Sequence, residues 1–395
     1  MVRKTFFKKV LGVITIVAMS ATMVMGCSET AKVNSTGGNS ATGDTIKLGG
    51  VFPLTGDVPA LGSAMQNGAK LALKEINDGG GVLGKKLDLV VEDDQNQAAT
   101  APNAITKLIT QDKVSAVVGT YASKCSIPMA AVAKDSKVVM ITPGSTNEKV
   151  TTEGGDYVFR ACFIDPLQGQ VGAKFAAENL KAKKVAMLYD IGNDYCVGIS
   201  KEFKKNFESL GGTIAYEKTY NAGESDFKAF LTEIKELNVD VLYLPDNYST
   251  VGLIAKQARE IGIKAPLLGS DSWSDPGLVK VGGDSIEGAY FTDHLSLKSD
   301  NAAIKKFVEN YKKEYNSDPS AFSVLSYDSV YIVAEAIKKA GSTDENAIKD
   351  AMAKLDADCG TTHYKFDDKH NPIKSVVINK VSKGQFEFET EISSK

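Results

Sequence analysis

The sequence predicts an α/β fold in which two lobes of alternating strands and helices enclose a ligand cleft. Short β-branched runs alternate with amphipathic helical patterns at intervals of roughly thirty residues from Ile46 onward. The alternation starts again near Tyr157, and 395 residues are enough for two domains. After Ala302 the pattern changes to two long helices and then to short strands.

The first series predicts one lobe. Parallel neighbouring strands need a crossover, which a helix supplies, so regular alternation indicates a parallel sheet. The predicted strands are Ile46–Phe52, Lys86–Glu92, Val114–Gly119 and Val138–Thr142. The predicted helices are Leu61–Asn77, Ala98–Asp112 and Ser126–Asp135.

The second series predicts a second lobe of the same Rossmann-like kind. The predicted strands are Tyr157–Cys162, Lys184–Tyr189, Thr213–Tyr220, Val239–Leu244, Pro266–Ser270 and Ala289–Thr292. The predicted helices are Gln168–Leu180, Gly198–Leu210, Asp226–Leu237 and Thr250–Ile261. Ligands of open α/β sheets bind beyond the carboxyl ends of the strands, so two such lobes facing each other form a cleft.

The C-terminal part departs from this alternation. Two long helices, Ala302–Tyr315 and Ser323–Ala340, follow each other without a strand between them. The segments His363–Phe366, Ser375–Lys380 and Gln385–Thr390 then predict antiparallel hairpins. A tail that switches in this way indicates lobes joined by several crossings.

The N-terminus has the pattern of an export signal. A basic start leads into the apolar run Val10–Val24, which is too short for an ordinary transmembrane helix. The run ends at Gly26-Cys27, which resembles the bacterial lipoprotein cleavage box, where the cysteine is lipidated and becomes the new N-terminus. Residues 28–44 are rich in Ser, Thr, Gly and Asn, as expected of a flexible tether. We therefore predict a lipoprotein signal peptide over residues 1–26, a tether over 27–44 and lipidation at Cys27, with plain secretion as the alternative.

Charge and residue usage exclude several classes of protein. Lysine plus arginine number 46 against 49 aspartate plus glutamate, and four of the bases fall in the first 26 residues, which contain no acid. The rest of the chain is acidic, which argues against a nucleic-acid partner. With three histidines and no HExxH or CxxC spacing, no metal site is predicted. Four cysteines beyond the lipidation site are predicted to be free thiols, with disulfides as the open alternative: Cys125, Cys162, Cys196 and Cys359.

One segment comes close to a cofactor motif. Gly79–Lys85 matches a phosphate loop to within one residue, but Lys86 replaces the Ser or Thr that would hold magnesium. The segment also runs from a helix into a strand, the reverse of the order that points backbone amides at a phosphate. No nucleophile is found with a histidine near it in sequence, so neither a cofactor nor an enzymatic activity is predicted.

Ordered motifs along the chain resemble the branched-chain amino-acid-binding proteins of ABC importers. They include Pro53-Leu54-Thr55-Gly56, Asn67-Gly68-Ala69, Glu75-Ile76-Asn77, Glu92-Asp93-Asp94, Gly154-Gly155-Asp156-Tyr157, Ala258-Arg259-Glu260-Ile261-Gly262 and Leu268-Gly269-Ser270-Asp271. The resemblance covers Ile46 to the C-terminus. It implies a type I periplasmic-binding-protein fold of the Venus-flytrap kind with three interlobe crossings. The implied first lobe is 45–161 plus 291–375, and the second is 162–290 plus 376–395.

The resemblance implies that the first lobe grips the α-amino-acid group. The segment Gly119–Ser123 looks like the loop whose serine hydroxyl binds the ligand α-carboxylate, and the alternative is that Ser123 only caps the next helix. Free amides and the dipole at that helix start also favour an anion. In the loop Pro143–Thr146, the family pattern assigns the Gly144 carbonyl and the Thr146 hydroxyl to the ammonium and carboxylate.

The second lobe is implied to neutralise the ammonium and to form the side-chain wall. Asp271 matches the family's acid, and a carboxylate buried in a closed cleft needs a cation partner, which couples closure to binding. Tyr195 matches one aromatic of the wall, whereas Asn247 stands where a tyrosine is expected. Trp273 either lines the pocket or packs at its rim. The candidate ligand-binding residues are Leu61, Tyr121, Ser123, Gly144, Ser145, Thr146, Tyr195, Asn247, Tyr248, Asp271 and Trp273.

The function implied is that of a solute receptor on the outer face of a membrane. It is expected to capture an amino acid, with branched-chain or aliphatic side chains as the first expectation, and to present it to permease subunits that work with cytoplasmic ATPases. A monomer that contacts the membrane only through its lipid anchor is expected. The alternative is a sensor domain for another amino acid, an amide or an aromatic acid that acts in signalling.

Overall fold

A computed structural model describes residues 45–392. The predicted signal peptide, the tether and Cys27 lie outside the described residues. Within the described range, no helix is both long enough and apolar enough to cross a membrane. The four cysteines in this range are buried and free, which confirms the prediction of free thiols.

The structure alternates strands and helices through most of its length, as the sequence predicts. The strands are β1 Ile46–Phe52, β2 Leu87–Asp93, β3 Ala116–Gly119, β4 Val139–Thr142, β5 Val158–Arg160, β6 Lys184–Asp190, β7 Thr213–Tyr220, β8 Val241–Tyr243, β9 Leu267–Gly269, β10 Tyr290–Asp293, β11 Asp356–Cys359, β12 Thr362–Lys365, β13 Val376–Ser382 and β14 Gln385–Ile392. The α-helices are α1 Pro59–Asp78, α2 Ala101–Lys107, α3 Ser123–Ser136, α4 Lys149–Gly154, α5 Asp165–Lys174, α6 Asp194–Ser209, α7 Lys228–Leu237, α8 Tyr248–Glu260, α9 Gly277–Gly282, α10 Ala302–Tyr315, α11 Ala321–Ala340 and α12 Glu345–Ala353.

The first sheet has five parallel strands in the order β2-β1-β3-β4-β5. Its inner strands β3 and β4 are buried along their whole length, as expected where helices cover both faces of a parallel sheet. Helices α1 and α11 pack closely together. At Gly68 a Cβ atom would lie 2.0 Å from the Ser323 carbonyl oxygen, so only glycine allows this approach.

The second sheet has seven strands in the order β14-β13-β10-β9-β8-β6-β7. The strands from β10 to β7 run parallel, and β13 is antiparallel to both β10 and β14. Strands β11 and β12 form a separate antiparallel hairpin. The antiparallel pairing predicted for the C-terminal segments is therefore confirmed.

The chain passes between the two sheets more than once. It leaves the first sheet after β5 and builds β6–β10 of the second. Helices α11 and α12 then pack on the first sheet and α10 on α1, before β13 and β14 complete the second sheet. Strand β10, which lies at the predicted boundary between residues 290 and 291, pairs with β9 and β13 in the second sheet.

Three sequence predictions about the elements need correction. The strand Tyr157–Cys162, predicted to open the second series, is β5 and pairs with β4, so it closes the first sheet. A short parallel strand carries no local signal of the sheet that it joins. The helix predicted from Ser126 begins at Ser123. The short elements α4, α9, α12 and β11 are not predicted, because each has too few residues for a clear periodicity.

Candidate functional site

The carboxyl ends of strands from both sheets meet around one small cavity. Its volume is about 10 Å³, room for about one water-sized sphere. The residues that line it follow β3 and β4 in the first sheet and β6, β8 and β9 in the second. They are Tyr121, Ala122, Ser123 and Gly144 on the first side, and Asn193, Tyr195, Asn247 and Asp271 on the second.

The first side presents the start of helix α3. Ala122 is the N-cap residue, has extended backbone and supplies no capping bond, and Ser123 is the first helical residue. The Ser123 hydroxyl oxygen accepts a hydrogen bond from the Asn147 amide at 3.2 Å, so this side chain does not cap its own helix. The first amides of a helix have no partner within it, and they carry the positive end of the helix dipole. This side of the cavity therefore suits an anion.

The loop after β4 is held by bonds to its main chain. The buried Arg160 guanidinium donates to the carbonyl oxygens of Ser145 at 2.6 Å and Asn147 at 2.9 Å. The Ser145 hydroxyl donates to the Tyr121 carbonyl oxygen at 2.9 Å, and its oxygen lies 2.7 Å from the Ser126 hydroxyl oxygen. The Ser145 side chain thus ties the two first-side loops together and does not line the cavity.

Thr146, the last residue of this loop, is fully buried. Its hydroxyl makes no hydrogen bond of good geometry with the protein. It lies beside Asp165, whose carboxyl pKa burial raises to about 8, with the Thr146 hydroxyl acting in the opposite direction. A buried hydroxyl without a strong partner is uncommon and marks a place where a further group can bind.

The second side is built around the Asp271 carboxylate, which is 1% exposed. Gln168 Nε2 donates to Asp271 Oδ1 at 2.7 Å, and the Tyr195 hydroxyl donates to the same oxygen at 2.6 Å. The third contact joins His294 Nε2 to Asp271 Oδ2 at 2.9 Å. Uncharged donors such as Gln168 and Tyr195 help to compensate the charge of a buried carboxylate, and the ligand ammonium remains the predicted cation partner.

Direct bonds join the two sides. The Tyr121 hydroxyl donates to Asn247 Oδ1 at 3.0 Å above the cavity. Nearby, Asn147 Nδ2 donates to the Asp194 carbonyl oxygen at 2.8 Å, and the Lys149 ammonium lies 3.0 Å from the Asp194 carboxylate. The two sides are therefore in direct contact, and the cleft between them is closed in this structure.

The structure brings six of the predicted site residues to the cavity wall. They are Tyr121, Ser123, Gly144, Tyr195, Asn247 and Asp271. Tyr248 begins α8 and lines a different crevice, against α1. Leu61 is fully buried in α1, outside the residues that line the cavity.

Trp273 does not line the cavity. Its side chain is fully buried, its Nε1 donates to the Leu244 carbonyl oxygen at 3.1 Å, and its ring lies 6.3 Å from that of Phe291. Of the two alternatives stated for this tryptophan, neither describes it, because the indole packs in the core of the second sheet. A lone tryptophan next to a site residue is not by itself a sign of a ligand contact.

Sequence reasoning missed several residues that shape the site. Gln168 and His294 hold Asp271 from two other elements, and Asn193 lines the cavity. Phe322 packs edge-on against Tyr121 at a ring distance of 5.0 Å, and a Cβ at Gly144 would lie 3.0 Å from its ring. No local pattern marks these side chains, because they come together only through the fold.

Two facing α/β lobes whose polar groups converge at the strand ends define a class of protein, the binding proteins that enclose a small molecule. The sequence profile of the periplasmic binding protein family matches residues 45–385. The leucine-, isoleucine-, valine-, threonine- and alanine-binding protein of Pseudomonas aeruginosa is 33% identical over 331 residues, which cover 84% of this chain and 88% of that protein.

Solved structures show the same relationship. The leucine-binding protein LivK of Thermotoga maritima is similar with a TM-score of 0.83 and 36% identity, over 88% of this chain and 99% of that one. A second similar structure is LivJ of Streptococcus pneumoniae, a branched-chain amino acid transporter substrate-binding protein in complex with isoleucine. Its TM-score is 0.84 and its identity 35%, over 89% of this chain and 100% of that one. The chain therefore belongs to the branched-chain amino-acid-binding group of the periplasmic binding protein family, and it has the type I fold of that family.

Proposed function

We propose that this protein captures an amino acid, first of all one with an aliphatic branched side chain, by closing its two lobes. The observation that carries the proposal is the opposite character of the two cavity sides. A helix start and hydroxyl groups face a buried carboxylate across the cavity. An α-amino acid carries an anionic and a cationic group on the same carbon, which this arrangement complements.

The roles of individual residues follow from this arrangement. Ser123 and the first amides of α3 bind the α-carboxylate, and the Thr146 hydroxyl and the Gly144 carbonyl complete the first-side contacts. Asp271 accepts a hydrogen bond from the ammonium. Tyr195 and Asn247 stand at the second-side wall and contact the rest of the ligand.

Entry of the ligand requires the lobes to separate. The bond between Tyr121 and Asn247 joins the two sides over the cavity, so a ligand cannot enter while it is formed. Each of the two lobes that move contains one of the two large sheets. The first comprises β1–β5 with the helices that cover them, and the second comprises β6–β10 with β13 and β14. Closure then joins groups that bind the same ligand from two sides.

Export and membrane attachment complete the proposal. LivJ of Streptococcus pneumoniae is a transporter substrate-binding protein, which supports the proposal that this protein passes its ligand to permease subunits of an ABC importer and that no bond is made or broken in the ligand. We further propose that Cys27 is lipidated and holds the protein, as a monomer, on the outer face of the membrane. Cells given a labelled fatty acid should incorporate it into the wild-type protein and not into Cys27→Ser, and an unlabelled wild-type protein would contradict the anchor.

A thermal-shift screen of the purified protein against the common amino acids tests the central proposal. Leucine, isoleucine or valine should raise the melting temperature most, since a ligand at about 100 times its Kd stabilises the folded state by about 2.7 kcal/mol. Recovery of the ligand unchanged after incubation distinguishes a receptor from an enzyme. The absence of a shift with every amino acid would overturn the proposal.

A further inference from the structure

The hydrogen bonds of Asp271 leave one position free on its carboxylate. A carboxylate accepts at about four lone-pair sites, and three are used by Gln168, Tyr195 and His294. Gln168 is itself fixed, because its Nε2 also lies 2.8 Å from the Thr292 hydroxyl. Burial raises the pKa of Tyr195 far above its usual range, so its hydroxyl remains a donor near neutral pH. Of the three donors, only His294 has a side chain whose ordinary pKa lies near neutral pH.

The geometry around His294 defines its protonation state. Its ring lies 3.8 Å from the ring of Phe163 and 5.6 Å from that of Phe322, and its side chain is fully buried. Because the Asp271 carboxylate only accepts, the proton of the neutral ring lies on Nε2. The other nitrogen, Nδ1, is buried and has no hydrogen-bond partner.

Several other titratable groups face His294. On its own element, Asp293 Oδ1 accepts from the His294 backbone amide at 2.7 Å. His294 also lines a polar cavity of about 190 Å³. Three charged or titratable side chains line the same cavity, one each from α11, from β12 and from the segment before β13. These are Asp328, His363 and Lys374.

We propose that His294 is a positioning residue for ligand capture, which aims Asp271 at the ligand ammonium while it is neutral and competes with that ammonium once it is protonated. The inference rests on the proposed function and adds to it a residue that no family pattern above assigns. In the neutral state the imidazole donates one hydrogen bond and leaves the negative charge of Asp271 for the ligand. Protonation at Nδ1 puts a positive charge 2.9 Å from that carboxylate, at the place where the ligand's charge is needed.

The direction of the pH effect follows from linkage. Burial lowers the pKa of His294 below its ordinary value, and the hydrogen bond and charge of Asp271 act against that. A bound ammonium next to Asp271 lowers the pKa of His294 further. The contribution of His294 to affinity is therefore constant above its pKa in the free protein and falls as the pH drops through it, by at most about tenfold per pH unit because one proton is involved.

Calorimetric titration with leucine between pH 5 and pH 8 tests the proposal. The wild-type Kd should rise toward pH 5, while the ligand's own carboxylate and ammonium do not titrate in this range. In His294→Gln, the amide nitrogen replaces Nε2 as a neutral donor. Relative to its own affinity at pH 7.5, this variant should lose the part of the pH dependence that His294 supplies.

The matched control is His363→Gln. His363 is an exposed histidine held between Asp356 and Asp358, and it faces the same polar cavity from the far side. This variant should keep the wild-type profile.

Burial also raises the pKa of Asp293 to about 8 and lowers that of Lys374 to about 8, so both groups contribute to every profile. The difference between wild type and His294→Gln therefore isolates the effect of His294.

Two results would overturn the proposal: a wild-type affinity that is constant from pH 5 to pH 8, or a His294→Gln profile that matches the wild-type profile. If His294→Gln does not fold, NMR titration of the His294 ring in the wild-type protein replaces it. Its pKa should fall when leucine is added, and an unchanged pKa would refute the coupling. Lack of leucine binding at pH 7.5 would instead count against the proposed function.

Discussion

The two sides of the cleft hold their polar groups in different ways. On the first side, Ser145 and Arg160 bond to backbone carbonyl oxygens, so the positions of the loops depend on the main chain. On the second side, Asp271 is held by side chains alone, from α5, from α6 and from the residue after β10. A site held by the main chain changes little on a single substitution, whereas a site held by side chains is tuned by each of them. The first side therefore suits the group that all amino acids share, and the second side can be adjusted.

The largest effect should come from the charge on the second side. Asp271→Asn keeps the shape but removes the negative charge that the ammonium needs, and it should weaken leucine binding by about 2–5 kcal/mol, measured by calorimetry. The matched control is Asp275→Asn, because Asp275 is a buried acid of the same lobe that does not line the cavity. An Asp271→Asn variant within about threefold of wild-type affinity, or about 0.6 kcal/mol, would remove this carboxylate from the site.

A smaller and uniform effect is expected on the first side. Ser123→Ala should weaken leucine, isoleucine, valine and alanine alike by about 1–3 kcal/mol each, because the hydroxyl binds a charged group that they share. Affinities for the four ligands, measured in parallel, provide the test. Thr152→Ala, on the exposed face of α4, serves as the control for a lost hydroxyl. If Ser123→Ala reorders the ligands, the division into a shared grip and an adjustable wall is wrong.

The smallest effect should come from the contact that joins the sides. Tyr121→Phe removes the hydroxyl that lies 3.0 Å from Asn247 Oδ1. It should weaken binding of every ligand by about 0.5–1.5 kcal/mol, because the bond exists only in the closed state. A double-mutant cycle with Asn247→Ala isolates the pairwise energy. A coupling energy near zero would show that the cleft closes without this bond.

The sequence predicts the architecture better than the details of the fold. Alternating periodicities locate most strands and helices, because a buried parallel strand and an amphipathic helix have different repeats. They do not assign Val158–Arg160 to a sheet, since three residues pair according to their tertiary neighbours. Short helices such as Lys149–Gly154 and Gly277–Gly282 begin and end within two turns, too few for a repeat to show.

The site shows the same limit. Ser123, Gly144 and Asp271 follow strands that the sequence locates, so their meeting at the cavity could be expected. Gln168 lies 103 residues from Asp271 in the sequence and His294 lies 23 residues from it. Neither belongs to a local motif. Their contribution depends on side-chain directions, which the pattern of polar and apolar residues does not encode.

The order of the strands also affects how the protein is made. The second sheet contains β6–β10 and, after three helices and a hairpin, the final pair β13 and β14. Until that pair arrives, β10 is an open edge with unpaired backbone groups, which attracts strands of other chains. A polypeptide that crosses a membrane from its N-terminus exposes this edge from the emergence of Asp293 until that of Val376, and contacts so distant in sequence form slowly. Newly exported chains should therefore aggregate most readily before residues 376–392 have emerged, and a truncation that removes β13 and β14 should make that state permanent.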